Sequence, residues 1–304
     1  MMGTSARRTR NWKLRSSRLL VIALLSVLIP APLSAAPEPG IPVFVNSSGD
    51  TGDSNPGDGV CDTGGTNSTG QAECTLRAAI QETNAGPADH IFFNIPTSDP
   101  GYNGSRWRIS VQNAHPLIGG DTEIEGNTQP GFNGTPVIEV HNAGSAANGI
   151  AFGKANEASV EYLSIINFGN SGVRLTEADN VTVANNYIGV TAAGGNGGNG
   201  RDGVRTGSSD GTIVRNNVIG FNGETGIDIA GGSNDASIDG NFIGVTPGGA
   251  DIGNDLNGIR VAEGSNDATI GTSTGNVIGN NGRTGIALNA SDRIEILNLS
   301  LIHI

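Results

Sequence analysis

Aromatic and basic residues are both scarce in this chain. Phe, Trp and Tyr make up 4% of the 304 residues, and 17 Lys and Arg stand against 29 Asp and Glu, which gives a formal net charge of −12. The shortage of basic residues argues against a nucleic-acid-binding surface, which needs Lys and Arg to neutralise phosphates. Charged residues are only 15% of the chain, so it does not resemble a disordered polyelectrolyte either. Glycine, with 48 residues, is abundant instead.

Long apolar segments are also missing, except for one near the N-terminus. Residues 1–18 contain six basic and no acidic residues, residues 19–29 are almost entirely apolar, and small residues lead up to Ala36. This order is typical of a secretory signal peptide, and the apolar run is short for a membrane span. We expect residues 1–36 to be removed, which leaves a secreted or cell-surface protein of net charge −18 with no membrane span. The alternative is an uncleaved N-terminal anchor.

Cysteine is nearly absent. Cys61 and Cys74 both follow the leader and lie thirteen positions apart. An oxidising compartment favours the pairing of nearby cysteines, so we expect a disulfide rather than two free thiols. Closing a loop of this size stabilises a fold by roughly 3 kcal/mol in the chain-entropy model.

From about residue 140 the sequence repeats itself. Six pairs of Gly followed by Ile or Val recur at spacings of 23 to 32 residues, and the tetrad Asn-x-Ile-Gly recurs four times. The units contain short alternating apolar runs and turn residues, without helical periodicity. Propeller blades need longer strands and aromatic packing, and leucine-rich repeats need more leucine. The sequence therefore predicts an all-β parallel β-helix, or solenoid, with its repeats in residues 96–298.

The repeats place asparagines at equivalent points of successive coils. Coils stacked about 4.8 Å apart would let their side-chain amides bond to one another, which is a structural rather than a catalytic role. The predicted ladder consists of Asn186, Asn217, Asn241 and Asn276.

A short N-terminal capping helix is predicted ahead of the coils. Leu76, Ala79, Ile80 and Thr83 share one helical face, Thr75 is a suitable N-cap, and Gly-Pro at residues 86–87 ends the helix. Because an open solenoid end invites edge-to-edge association, we expect this helix to cover the first coil.

The segment around this helix resembles a known module, the CSLREA domain, over about residues 43–95. The resemblance lies in Gly-Val-Cys-Asp at residues 59–62, Cys-Thr-Leu-Arg-Ala-Ala-Ile-Gln at 74–81, and Asn84, with Thr75 and Ala78 in place of the motif's Ser and Glu. It implies an exported bacterial protein with a right-handed parallel β-helix, and it implies no established reaction. Residues 37–95 are therefore expected to form the N-terminal cap and the first coils.

The outward position after each Gly-Ile or Gly-Val pair is the candidate ligand-binding stripe. It contains Arg174, Arg205, Asp228 and Arg260, which stacking would place on one face of a sheet. Arginine grips carboxylates with two hydrogen bonds, so the stripe could hold an anionic sugar. The alternative is a self-neutralising surface ladder, worth about 0–1 kcal/mol per pair.

An oxygen-rich loop is a weaker candidate, for calcium. Calcium takes six to eight oxygen ligands, but this loop lacks EF-hand spacing and Pro56 interrupts it. A plain polar loop is the alternative, and no other cofactor is expected. The candidate ligands are Asp50, Asp53, Asn55, Asp58 and Asp62.

Catalytic motifs of β-helix enzymes are missing. The Asn-Thr-Asp and Gly-His-Gly motifs of pectin hydrolases and the Asp-Pro-His-Glu of alginate epimerases do not occur. His90, His115 and His141 show no ligand-like spacing and are interpreted as turn or surface residues. We therefore expect a noncatalytic extracellular scaffold, an adhesin or glycan-binding protein whose partner is a polysaccharide or cell-surface glycan. The alternative is a polysaccharide lyase or glycoside hydrolase acting on an anionic polysaccharide.

The last residues, 299–304, read Leu-Ser-Leu-Ile-His-Ile and stop in the middle of a strand-like run. They resemble translated sequencing-adapter read-through. We expect this end to be artefactual or truncated, and the chain to be a fragment of a larger protein.

Overall fold

A computed structural model describes residues 41–302, which form a parallel β-helix of three sheets with one α-helix. The fold class predicted from the repeats is confirmed. The predicted signal peptide, residues 1–36, lies outside the described residues, as do residues 303–304. In residues 41–302, no helix is long and apolar enough to cross a membrane.

Strands are numbered in chain order and belong to three sheets. The first sheet contains, in spatial order, β1 (Ile41–Val45), β2 (Ala88–Phe93), β5 (Glu123–Glu125), β8 (Ser159–Glu161), β11 (Thr182–Ala184), β14 (Ile213–Arg215), β17 (Ser237–Asp239), β20 (Thr269–Ile270) and β23 (Glu295–Ile296). The second sheet contains β4 (Ile118–Gly120), β7 (Ile150–Ala155), β10 (Val173–Thr176), β13 (Val204–Arg205), β16 (Ile227–Ile229), β19 (Ile259–Ala262) and β22 (Ile286–Asn289). The third sheet contains β3 (Trp107–Val111), β6 (Ile138–Asn142), β9 (Leu163–Ile166), β12 (Tyr187–Ile188), β15 (Val218–Ile219), β18 (Phe242–Ile243), β21 (Asn276–Gly279) and β24 (Leu299–Ile302).

From β7 onward, each coil visits the second, first and third sheets in that order. The apolar residue after each repeat glycine points inward and meets its equivalent in the next coil, as Val173 pairs with Val204 and Val204 with Ile227. All three side chains are fully buried. Burying one such side chain contributes about 1.5–3 kcal/mol to stability. This part of the core is therefore stabilised by a column of stacked aliphatic side chains rather than by a cluster of aromatic rings.

The repeat glycines have a packing role. A Cβ at Gly203 would lie 2.5 Å from the carbonyl oxygen of Gly226 in the next coil and 2.6 Å from Cγ2 of Ile219. No side chain fits in that space, since real Cβ contacts are longer. Positive φ angles occur instead at another corner, just before the asparagine ladder, at Asn216 (55°) and Gly240 (68°).

The predicted asparagines lie at the corner between the first and third sheets and are buried. The Oδ1 atom of Asn217 accepts hydrogen bonds from the backbone and side-chain nitrogens of Asn186, at 2.9 and 3.2 Å. In the same way, Oδ1 of Asn241 accepts from both nitrogens of Asn217, and Oδ1 of Asn276 accepts from both nitrogens of Asn241. A second such ladder, which was not predicted, connects Asn199, Asn222, Asn254 and Asn281, each of which lies four residues before a repeat glycine.

The N-terminal helix α1 (Leu76–Ala85) packs against β1, β2 and β4. Thr75 is its N-cap, and the Thr75 hydroxyl accepts a hydrogen bond from the backbone N–H of Ala78 at 3.1 Å. The Cys61–Cys74 disulfide, predicted from the expected oxidising compartment, is formed just before this helix.

One arginine of the helix ties it to the neighbouring loops. The Arg77 guanidinium pairs with both carboxylate oxygens of Asp50 at 3.0 Å and also donates to the carbonyl oxygens of Asn113 and Ala114. Burial would raise the pKa of Asp50, but the His115 imidazole, 3.5 Å away, and the Arg77 guanidinium lower it to about 2. Asp50 therefore holds the cap as an ionised carboxylate.

Two loops leave the third sheet without disturbing the stack. Each is closed by an antiparallel bridge, Val190 to Asn196 in one and Val245 to Asp251 in the other. The buried Glu139 fixes the first loop, because one of its carboxylate oxygens accepts from Arg108 at 2.8 Å and the other from the backbone N–H of Ala192 at 3.1 Å.

Candidate functional site

The outward positions of the second sheet form one continuous line. Parallel pairing places Arg174 beside Arg205, Arg205 beside Asp228, and Asp228 beside Arg260. Because neighbouring strands lie about 4.8 Å apart, each of these side chains can touch the next. The structure therefore brings together all four residues of the predicted stripe.

Asp228 neutralises the middle of this stripe. Its carboxylate accepts a hydrogen bond from Nη1 of Arg205 at 2.5 Å and another from Nη1 of Arg260 at 3.0 Å. Burial raises the pKa of Asp228, although the two guanidinium groups act in the opposite direction. The Arg205–Asp228–Arg260 part of the stripe is thus the self-neutralising ladder that the sequence offered as an alternative.

Arg174 differs from the other arginines of the stripe. Its Nε atom donates to the hydroxyl of Thr176 at 3.2 Å, and no carboxylate within residues 41–302 lies within 4.0 Å of its guanidinium. Burial and the charge of Arg205 lower the pKa of Arg174. A partly buried guanidinium without an acidic partner is a suitable site for an anion.

The residue that precedes each repeat glycine lies beside the stripe and turns it into a groove. Sequence reasoning did not select this position, although the signal was present: every such residue is polar. The positions are Asn148, Ser171, Asp202, Thr225, Asn257 and Thr284.

The groove has two neighbouring sections that share Arg205. The first, the Arg174 pocket, encloses about 310 Å³ and is lined by Arg, Asn and Ser side chains with no carboxylate. Its lining residues are Asn148, Asn170, Ser171, Arg174, Arg201 and Arg205.

The second section, the Asp228 pocket, encloses about 440 Å³ and mixes acidic and basic groups. Asp202 lies in it next to Asp228, and its carboxylate is 3.4 Å from Nη1 of Arg205. Burial, followed by the charge of Asp228, raises the pKa of Asp202. The groove therefore joins a section that contains the unpaired Arg174 to one that contains two buried aspartates.

Among the calcium candidates, all in the described part of the chain, no three of the four aspartates have carboxylate oxygens within 4.8 Å of one another. Asp50 is engaged by Arg77, as described above. The Asp53 carboxylate accepts from the backbone N–H groups of Asn55 and Asp62, at 2.8 and 3.0 Å, and Asn55 donates its side-chain amide to Asp58 at 2.9 Å. These contacts organise the loop with its own polar groups.

No family model matches the chain, and no curated protein matches it in sequence. Among solved structures, the chain is similar to the A-module of the Azotobacter vinelandii mannuronan C-5 epimerase AlgE6, with a TM-score of 0.39 and 13% sequence identity, over 86% of this chain and 91% of that one. This likeness assigns no role to any residue of the chain.

Proposed function

We propose that this chain is an exported, noncatalytic β-helix scaffold that binds an anionic polysaccharide along its second sheet. The observation that carries the proposal is the Arg174 pocket, where Arg174 has no carboxylate of residues 41–302 within 4.0 Å, while its neighbours Arg201 and Arg205 are paired with Glu224 and Asp228, in a chain of net charge −12. In so acidic a protein, a pocket of this composition is a local attraction for anions.

The pocket chemistry suits an acidic sugar. The Arg174 guanidinium can donate two hydrogen bonds to a uronate carboxylate or a sulfate group. Asn148, Asn170 and Ser171 supply donors and acceptors for sugar hydroxyls. The groove continues from coil to coil, which suits a linear polymer better than a compact metabolite.

Three features support export, of which the second and third share the two cysteines. Residues 1–36 have the composition of a signal peptide, the Cys61–Cys74 disulfide is typical of oxidising compartments, and residues 43–95 resemble the CSLREA domain of exported surface proteins. Adhesion to a glycan outside the cell follows from export combined with the groove.

Affinity electrophoresis with polygalacturonate, alginate and dextran tests the binding proposal. We expect retardation by the two polyuronates and none by neutral dextran, with retardation weakening as salt is added. Arg174→Gln should weaken binding about tenfold or more, the scale of a lost charge-assisted hydrogen bond. Arg106→Gln is the matched control, because Arg106 carries the same charge but lies outside the groove. Equal retardation of wild type and Arg174→Gln would refute the proposal.

A second candidate function is a polysaccharide lyase or glycoside hydrolase, favoured by Asp202 and Asp228. Both aspartates are buried, both face the Asp228 pocket, and both have a raised pKa, which is the direction a general acid needs. Incubation with uronate and neutral polysaccharides, followed by assays for reducing and unsaturated ends, discriminates the two functions. Turnover that is abolished by Asp202→Asn or Arg205→Ala would replace the scaffold with the enzyme.

A further inference from the structure

A histidine and two glutamates converge on the outer face of the first sheet, away from the groove. His90 is in β2, and Glu123 and Glu125 are in the neighbouring strand β5, where His90 pairs directly with Glu123. The His90 Nδ1 atom lies 3.1 Å from Oε1 of Glu125 and 3.7 Å from Oε2 of Glu123. Within residues 41–302 this is the one group of three such side chains whose ligand atoms all lie within 4.8 Å of each other.

The negative charge of the two glutamates is not neutralised by a basic side chain, unlike that of Asp228. On the second sheet, the Asp228 carboxylate is paired with arginines, whereas no Lys or Arg of residues 41–302 comes within 4.0 Å of Glu123 or Glu125. A third carboxylate, that of Asp89, lies on the opposite side of the ring, 3.9 Å from His90 Nε2. Three carboxylates thus surround one imidazole.

An unpaired oxygen of Asp89 supports metal binding by the neighbouring His90. Its Oδ1 atom is buried and has no hydrogen-bond partner among the described residues. When a metal binds Nδ1 of an imidazole, the ring proton must be on Nε2, and a carboxylate or carbonyl normally accepts that hydrogen bond. Asp89 Oδ1 is an acceptor placed on that side of His90.

The spacing of the atoms fits a small tetrahedral ion. Zinc binds His nitrogen and carboxylate oxygen at about 2.0–2.2 Å, so two ligand atoms of a tetrahedral site are roughly 3.3–3.5 Å apart. The observed separations of 3.1 and 3.7 Å lie on either side of this value. An imidazole ligand favours zinc and similar transition metals over calcium and magnesium, whose preferred ligands are oxygens.

We propose that His90, Glu123 and Glu125 bind one Zn²⁺ ion, with Nδ1 as the nitrogen ligand and Asp89 as the acceptor for Nε2–H. The three ligand side chains are between 25% and 44% exposed to solvent, so water can reach the ion and fill the fourth position. The ion would join β2 to β5 and so fasten one coil to the next beside the N-terminal cap. This site is independent of the polysaccharide groove, which is on a different sheet.

Isothermal titration of the untagged, EDTA-treated full chain with ZnCl₂ tests the proposal. We expect one ion per chain, together with a rise in melting temperature on zinc addition, because a ligand that binds only the folded state stabilises it. His90→Gln and Glu125→Gln should each weaken binding at least tenfold. The matched controls His141→Gln and Glu177→Gln should bind zinc as wild type does.

Asp89 is a positioning residue, so its variant has a distinct expected result. Asp89→Asn should keep the stoichiometry and the zinc K-edge spectrum of one imidazole with oxygen neighbours, while affinity falls about 10- to 100-fold. Circular dichroism of each variant verifies that the β-helix is intact. Absence of binding at about 100 μM zinc, or binding that survives His90→Gln, would overturn the proposal.

Discussion

The side-chain amide of Asn217 donates to Oδ1 of Asn241, 24 positions later in the chain, at 3.0 Å. The same oxygen accepts from the backbone N–H of Asn217 at 2.9 Å. One asparagine therefore satisfies two donors of its neighbour in the preceding coil, and both residues are fully buried. The ladder provides hydrogen-bond partners at a corner that water does not reach.

Shortening Asn217 to alanine should destabilise the fold strongly. Asn217→Ala removes the acceptor of both Asn186 nitrogens and the donor to the carbonyl oxygen of Val183, and it leaves these groups buried. We expect a loss of about 2–4 kcal/mol in urea denaturation. The exposed Asn133→Ala is the control and should change stability by less than about 0.5 kcal/mol. A loss below about 1 kcal/mol for Asn217→Ala would mean that the ladder is not a main support of the corner.

Acid should loosen the N-terminal cap through Asp50. The folded-state pKa of Asp50, about 2, is below its ordinary value of 3.8. Its stabilising contribution is therefore fully present above pH 3.8 and is lost as the pH falls toward 2. After a discount for partial solvent screening, this contribution is roughly 1–2 kcal/mol.

Urea denaturation of wild type and Asp50→Asn from pH 7 to pH 2 measures this contribution. Above pH 4 the variant should be less stable than wild type by a constant amount, and the difference should shrink between pH 4 and pH 2. If the difference in stability between the two proteins stays unchanged from pH 4 to pH 2, protonation of Asp50 does not weaken the cap.

Reduction of the disulfide should weaken the same region. The Cys61–Cys74 link closes a loop with a sequence separation of 13, and opening it should cost roughly 3 kcal/mol. Denaturation with and without a reducing agent measures the loss. The double variant Cys61→Ser with Cys74→Ser should resemble reduced wild type, and the reducing agent should leave this variant unaffected.

Removing the Glu139 carboxylate should free the loop that begins at Val190. Glu139→Ala deletes the acceptor of the Ala192 amide, whose exchange with deuterium should accelerate on the order of tenfold. Arg108→Ala removes the ion pair but leaves that acceptor, so exchange at Ala192 should change less. Equal acceleration in both variants would instead assign the effect to the loss of the ion pair.

Periodicity made the scaffold and the stripe predictable. Because Arg174, Arg205 and Arg260 each follow a Gly-Val or Gly-Ile pair in their repeats, the repeat spacing alone places them on one face. The asparagines of the second ladder each lie four residues before a repeat glycine, so the same spacing also locates Asn199, Asn222, Asn254 and Asn281. The packing role of Gly203, by contrast, depends on the next coil and cannot be inferred from the local sequence.

The histidine cluster was outside the reach of the sequence for a different reason. The sequence indicates a turn or surface residue at His90; in the structure it lies in a strand, on the outer face of the first sheet, and pairs with Glu123, 33 positions later. The coils before residue 140 lack the repeated dipeptide, so nothing in the sequence set their register. His115 was given the same interpretation, but its side chain is 3% exposed and packs against Asp50.

Gly203 and Gly226 occupy the same position in successive coils, so residues 203–225 make up one complete coil that could be removed as a unit. Deleting residues 203–225 would join Asp202 to Gly226 and keep the repeat pattern of a polar residue, Gly, and then Ile or Val. Asn186 would then lie opposite Asn241, and Asn199 opposite Asn254, with both ladders unbroken. Proteins built in this way grow and shrink by whole coils, and their binding surface changes length one strand at a time.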